Sequence, residues 1–230
     1  MDNTILHTLN FETKNQQITT TRYNTLMKSN RQYDLGYSAG ALLSDYFEAA
    51  MNAITDFDLF VSGNEQLHHN IVQANAESSQ KRYISELNKR IKQLSKPIFD
   101  YYFTATNQDK KAIQFYTICK TYSIIAEFMI EVVRNKWLNL NFDLEPYDYK
   151  TYLIEKLEET NTLDRITEMT LDKLVQVFFK MLQQLDMYGN KKFSTIKIDP
   201  ELMKLIYQAG DEWFIDAMLQ SEDDKKQMRR

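Results

Sequence analysis

A mainly α fold, a multi-helix globular protein with two helix-turn-helix-like elements and a small C-terminal β wing, follows from three observations on this 230-residue chain. Gly occurs 5 times and Pro 3 times, too few chain breakers for a turn-rich β protein or for a Gly-rich phosphate loop. Apolar residues recur at steps of three and four along most of the sequence, the period of a helix with one buried face. Hydrophobic residues make up 43% and aromatics 13%, enough for an ordered protein with a sizeable core.

Residues 1–32 are polar and read as a solvated arm, with a DNA-contacting arm as the alternative. The texture changes at Tyr33. Leu42, Leu43, Tyr46, Phe47, Ala50, Met51 and Ile54 define a core helix that Ser38 is placed to cap. Residues 57–64 read as a connector and 65–76 as a short helix. His68 and His69 are adjacent there, so they point about 100° apart on a helix and do not form an i,i+4 metal pair.

Ser78-Ser79 reads as the joint to a second helix, completing the first helix-turn-helix-like unit. Ile84, Leu87, Ile91 and Leu94 form its buried stripe. Lys81, Arg82, Ser85, Lys89, Lys92 and Lys96 fall in roughly one 100° sector facing away from that stripe. Residues 78–96 contain six basic residues and one acidic one, net +5; with the whole chain at −4, the remainder carries −9. Such segregation suits either a solvated helix face or a phosphate-binding one.

Pro97 ends this stretch or opens the next short helix. Residues 109–138 read as one long helix, apolar around much of its circumference and therefore central. Its Glu127–Glu131 pair is expected to be structural, since no Glu-x-x-His partner motifs accompany it. Residues 139–145 form a polar loop and 146–159 another helix.

In the last region, Leu163–Ile166 reads as a first helix, Thr167–Thr170 as a capped turn and Leu171–Tyr188 as a second helix. Gly189-Asn190 is its expected left-handed cap. KKFSTIKI supplies a wing strand, and Asp199-Pro200 opens a final helix running past Trp213. Helix, turn, helix and β element outline a winged helix-turn-helix. Residues 161–186 sum to −1, so basic character is confined to the wing at Lys191, Lys192 and Lys197. Protein contact or packing fits that unit better than base reading. The organisation expected is an arm (1–32), a helical domain (33–140), a winged-helix-like unit (147–220) and a charged tail (221–230).

The single cysteine, Cys119, lies in an apolar run and reads as a buried hydrophobe in a reducing compartment. No signal-peptide layout and no membrane-length apolar run is present, so a cytoplasmic location without membrane contact is expected. No nucleophile, base and orienting group can be assembled, and no cofactor or metal is implied.

Four blocks carry a family resemblance by their order and spacing: YDLGYSAGALL (33–43), NIVQANAESSQKRYISELNKRIKQL (70–94), IQFYTICKTYSIIAEFMIEVVRNKW (113–137) and DRITEMTLDKLVQVFFKMLQQLDMYG (164–189). Together they resemble the BrxA family of bacterial BREX phage-defence systems. The resemblance implies a largely helical, non-enzymatic protein with helix-turn-helix elements that binds double-stranded DNA. It also implies an association with a DNA methyltransferase, a phosphatase-like protein and ATPases. On that basis the DNA-contacting set is Lys81, Arg82, Ser85, Lys89, Lys92 and Lys96, with Lys191 and Lys192 as a second foot. Glu168 and Asp172 depart from the pattern by placing acid near the second unit's helix. The rival expectation is an adaptor within the defence complex that does not touch DNA.

Overall fold

Two consecutive residues hold the start of the body in place. Tyr33 donates its hydroxyl to Glu127 Oε2 at 2.6 Å, and the Asp34 carboxylate accepts from Gly36 N–H at 2.8 Å. The structure, a computed structural model, describes residues 32–68, 71–72 and 76–228, so the expected arm up to Arg31 and the second histidine, His69, lie outside the described residues. Residues from Tyr33 onward form one compact unit.

A 3-10 turn, Gly36–Ala39, leads into α1 (Ser44–Ala53). Ser38 lies inside that turn and caps nothing. Leu43 precedes the helix at φ 58°, and Leu42 N–H donates to Gln184 Oε1 at 2.9 Å. The expected connector contains a helix, α2 (Phe57–Ser62), because the Asp56 side chain accepts from the N–H groups of Asp58 and Leu59. Gly63 at φ 85° stops it.

Residues 65–68 are not helical. There the Glu65 carboxylate accepts from the backbone N–H groups of Thr55 and Asp56, stapling the segment to the end of α1. The expected joint at Ser78-Ser79 is likewise absent: α3 (Glu77–Ile91) runs straight through both serines. It ends at Ile91, and α4 (Lys96–Tyr102) begins five residues later with Pro97 in its first turn.

The long apolar pattern is central, as its all-round hydrophobicity predicts. Ile113, Phe115, Ile118, Cys119, Ile124, Ile125 and Phe128 are fully buried. It is not one helix, however. α5 (Asn107–Thr121), capped by Thr106, breaks at Tyr122, where φ is −127° and ψ 84°. The break lets the Tyr122 hydroxyl reach both oxygens of Glu86 at 2.7 and 2.6 Å. α6 (Ser123–Phe128) then passes through a π segment, Met129–Val133, into α7 (Arg134–Leu138).

The Glu127–Glu131 pair has structural partners. Glu127 holds Tyr33, and Glu131 accepts from Tyr152 at 2.9 Å and pairs with Lys156 at 3.2 Å. Burial, more than the neighbouring Glu131, pushes the Glu127 carboxyl up; the Tyr33 hydrogen bond works the other way.

Three residues separate α7 from the Phe142–Leu144 segment, which pairs with the hairpin described below. α8 (Pro146–Glu159) follows, opened by a reciprocal cap between Glu145 and Asp148. Leu163–Arg165 is only a 3-10 turn; the helix actually preceding α9 is α8. α9 (Glu168–Gln184) starts at its Thr167 cap and stops four residues short of Tyr188. Phe178 of α9 packs its ring 5.3 Å from Phe128 and 4.1 Å from Tyr149, and the Tyr149 hydroxyl meets that of Tyr37 at 2.8 Å. That cluster joins the N-terminal turn, α6, α8 and α9.

β1 (Tyr188–Gly189) and β2 (Lys192–Phe193) pair antiparallel, with Gly189 opposite Lys192. Gly189 is therefore a strand residue and not a helix cap. The two-residue turn is Asn190-Lys191, with φ 52° and 61°, a type I′ geometry. The hairpin's outer partner is the segment before α8: Phe193 N–H donates to Phe142 O at 3.0 Å and Leu144 N–H to Lys191 O at 2.9 Å.

The expected final helix is three: α10 (Pro200–Gln208), α11 (Glu212–Ala217) and α12 (Glu222–Met228). Gly210 at φ 81° separates the first two. Asp216, buried, pairs with Arg134 at 2.7 Å and with Lys225 at 2.6 Å, tying α12 back to α7.

Candidate nucleic-acid interface

Two surfaces bring exposed cations together, and each is built by a different route. The first is the outer face of α3. At about 100° per residue, Lys81, Arg82, Ser85 and Lys89 occupy one sector, and Lys92, the residue after the helix, extends it. All five are exposed. Ile84, Leu87 and Ile91 on the opposite side are buried, which fixes the rotation of the helix and keeps the cations outward.

Lys96 does not belong to this sector. It sits on α4, where it pairs with Asp100 at 2.5 Å. Nor does Arg90 add to the surface charge. Its side chain is 0% exposed; Nε donates to Glu86 at 2.5 Å, and its two terminal nitrogens donate to Ala41 O at 2.6 Å and Gly40 O at 2.9 Å. Glu86 in turn accepts from Tyr122, whose phenol is pushed up by burial and then by that carboxylate. The Glu86–Arg90 pair is thus a core strut joining α3, the turn before α1 and the break after α5, and the count of +5 along the chain overstates the face.

The face also carries acid. Lys81 pairs with Glu77 at 2.7 Å, and Lys89 pairs with Asp34 while lying 4.7 Å from the Tyr122 ring centre. Among the described residues, no carboxylate lies within ion-pair distance of Arg82 or Lys92; Lys92 Nζ lies 5.6 Å from the Phe60 ring centre.

The second surface is formed by α9 and the hairpin. Met169, Lys173, Gln176, Lys180 and Gln183 fall within roughly 80° of one another on α9 and are all exposed. Glu168 and Asp172, which make the segment acidic in sequence, flank this stripe. Both reach across to Lys150 on α8, at 3.4 and 2.7 Å. The hydrogen bond to Asp172 is the first cause of the raised Lys150 ammonium. At the hairpin, Lys191 pairs with Glu145 at 3.2 Å and Lys192 lies 3.9 Å from Asp143.

Counting charge along the sequence missed this stripe. The signal that finds it is position: Lys173, Gln176, Lys180 and Gln183 recur at three, four and three residues, opposite the apolar set.

Chemically, both surfaces suit a polyanion, offering ammonium and guanidinium donors, with Ser85 and two glutamines as neutral donors and acceptors. Among the described residues, no cluster of three or more His, Cys, Asp or Glu suits a metal ion, and no helix is long and apolar enough to cross a membrane. Cys119 is buried and its thiol is pushed up by that burial, so it packs as a small hydrophobe.

Comparison with known proteins gives concordant results. A crystal structure of an uncharacterized protein from Magnetospirillum magneticum superposes with a TM-score of 0.63 at 18% identity, covering 82% of this chain and 98% of that one, which is a likeness of fold. The "BREX protein BrxA" of Bacillus cereus (strain H3081.97) is 25% identical over 167 residues, 71% of this chain and 84% of that protein. The family model for BrxA matches residues 31–210, so the chain belongs to the BrxA family.

Proposed function

We propose that this protein is a non-enzymatic, cytoplasmic, double-stranded-DNA-binding component of a BREX phage-defence system. The α3 face supplies its phosphate contacts through Lys81, Arg82, Lys89 and Lys92, with Ser85 as a neutral donor. The observation that carries this reading is the face itself: four cations exposed in one sector of a helix whose rotation is locked by its buried side. Phosphate neutralisation requires cations projecting together from a rigid element, and it confers affinity with little sequence preference. Family membership and the B. cereus relative's name support placement in a BREX system, with its other proteins as partners.

A second contact at the C-terminal side is favoured by a specific arrangement. The α6–α7 region, the Phe142–Leu144 segment, α8, α9 and the β1–β2 hairpin follow one another, and the segment pairs with β2. That is the element order of a winged helix, in which the helix before the hairpin enters the major groove. The α9 stripe and the hairpin lysines Lys191 and Lys192 then form a second foot. Lys96 contributes at most at the margin of the first.

The test is a gel-shift titration on random-sequence duplex at two salt concentrations. It compares the wild type with a variant carrying Lys81→Glu, Arg82→Glu, Lys89→Glu and Lys92→Glu. Binding should weaken with salt with a log–log slope of about −0.9 per phosphate contact, and the variant should lose both affinity and slope. A salt-independent isotherm, or one that the variant leaves unchanged, sinks the reading. Retention of another BREX protein in nuclease-treated lysate, without any duplex binding, would assign the adaptor role instead.

A further inference from the structure

The cations of both surfaces, and Lys96 at the margin of the first, are unequally free. Lys81, Lys89 and Lys96 are paired with Glu77, Asp34 and Asp100, and Lys191 and Lys192 face Glu145 and Asp143. Two of these carboxylates have a second duty: Asp34 accepts from Gly36 N–H, and Glu145 caps α8. The other three hold no such backbone hydrogen bond among the described residues, though Glu77 also stands in the first turn of α3. Glu77, Asp100 and Asp143 are 78%, 55% and 73% exposed, and among the described residues each pairs with its lysine.

An exposed pair of this kind adds little to stability, since solvent and salt screen it. Its effect on a polyanion is direct. A phosphate approaching a paired lysine must displace the carboxylate or accept a negative charge beside it. The paired lysine also offers less net positive charge with which to release condensed counterions.

We propose that Glu77, Asp100 and Asp143 act as built-in phosphate competitors that hold duplex affinity down at each foot. The inference rests on the DNA-binding reading above and deepens it: these acids set the affinity, and Arg82 and Lys92, which lack such a partner among the described residues, make the dominant contacts. Carboxylates placed beside both surfaces bias the protein toward rapid release from any single contact, so that firm retention requires both feet on one duplex.

The experiment compares the wild type with the triple amide variant Glu77→Gln, Asp100→Asn, Asp143→Asn. A second variant, Glu155→Gln, Glu158→Gln, Glu201→Gln, changes the net charge equally; all three of its sites are exposed, and none pairs with Lys81, Lys96 or Lys192. The probe is a fluorescent random-sequence duplex, titrated by anisotropy at two salt concentrations, with a thermal melt of each variant to establish folding.

The proposal expects the first variant to bind about fivefold more tightly, about twofold each at Lys81 and Lys192 and less at Lys96, with a steeper salt slope, and the second to differ from the wild type by less than about twofold. Equal affinity and slope in the first variant and the wild type, with the wild type binding, overturns the inference and leaves the DNA reading standing. Equal gains in both variants reduce the effect to net charge and also overturn it. Binding by neither the wild type nor the triple amide variant at the lower salt overturns the DNA reading and the inference together. Binding by the triple amide variant alone supports both.

Discussion

The α3 face and the α9 stripe show opposite relations between charge in sequence and charge in space. The segment containing α3 has the highest positive count in the chain, yet Arg90 and Glu86 are withdrawn into the core, Lys96 belongs to another helix, and Lys81 and Lys89 are paired with acid. The segment containing α9 counts as acidic, yet its two flanking carboxylates are engaged by Lys150, and the outward stripe holds two lysines, two glutamines and a methionine. A window of sequence sums charge around the whole helix, whereas a ligand meets one face. The difference between those two sums decides which surface would present net positive charge to a polyanion.

The sharpest way to break this comparison is at Arg90. If it is a core strut and not a surface cation, Arg90→Ala leaves Glu86 buried with its main partner gone and costs about 3–5 kcal/mol of stability. Urea denaturation at neutral pH reads this directly, and a change under about 1 kcal/mol would mean that the guanidinium is not buried as described. Arg82→Ala, by contrast, should leave the denaturation midpoint unchanged within error.

The next effect is on duplex binding. The four-residue reversal on α3 should lower affinity by at least about 100-fold at roughly 100 mM salt, whereas Lys173→Glu with Lys180→Glu should lower it by about tenfold. Equal losses would make the two surfaces equivalent feet. A larger loss from the α9 pair would move the principal contact to the C-terminal side.

Smaller still is the effect of separating Lys150 from its acids. Lys150→Met frees Glu168 and Asp172 beside the stripe and should weaken duplex binding about two- to threefold, with little change in melting temperature.

The smallest effect is a pH dependence far from both surfaces. Burial raises the Glu127 carboxyl, so the fold favours its protonated form. That contribution is complete below the unfolded-state value of about 4.3 and is lost as pH rises through the higher folded value. Glu127→Gln is uncharged throughout, so its melting temperature should rise relative to the wild type between about pH 4 and pH 8. A difference independent of pH would show that Glu127 is ionised in the fold at no cost.

Much of the architecture is legible because it is local. The all-round apolar pattern of residues 109–138 marks the centre, the Asp199 cap starts α10, and the Ile84–Leu87–Ile91 stripe fixes which side of α3 faces out, whereas the Thr167 cap starts α9 three residues before the expected Leu171. What the sequence hides is set by distant partners. No Gly or Pro announces the break at Tyr122; it follows from a hydroxyl reaching a carboxylate 36 residues back. The strand segment before α8 has no β pattern of its own and exists only because the hairpin, far along the chain, offers it an edge.

Arg90 lies between these cases. On a helical wheel it sits about 180° from Lys81 and next to the apolar stripe, so its inward direction was readable, but its partners at Gly40 and Ala41 were not. The α2 helix was readable too, through the Asp56 cap, although residues 57–64 read as a connector.

The hairpin turn has a consequence for how this protein trades durability against use. A type I′ turn favours Asn followed by Gly, because both positions need positive φ. Here Asn190 is followed by Lys191 at φ 61°, and the glycine falls two places early, at 189 in β1, where no such freedom is needed. A lysine held in the left-handed region costs about 1 kcal/mol relative to glycine. The chain therefore gives up thermal resistance to carry an ammonium at the tip of its hairpin. Lys191→Gly should yield a protein that melts later and, on the proposed reading, holds DNA less well.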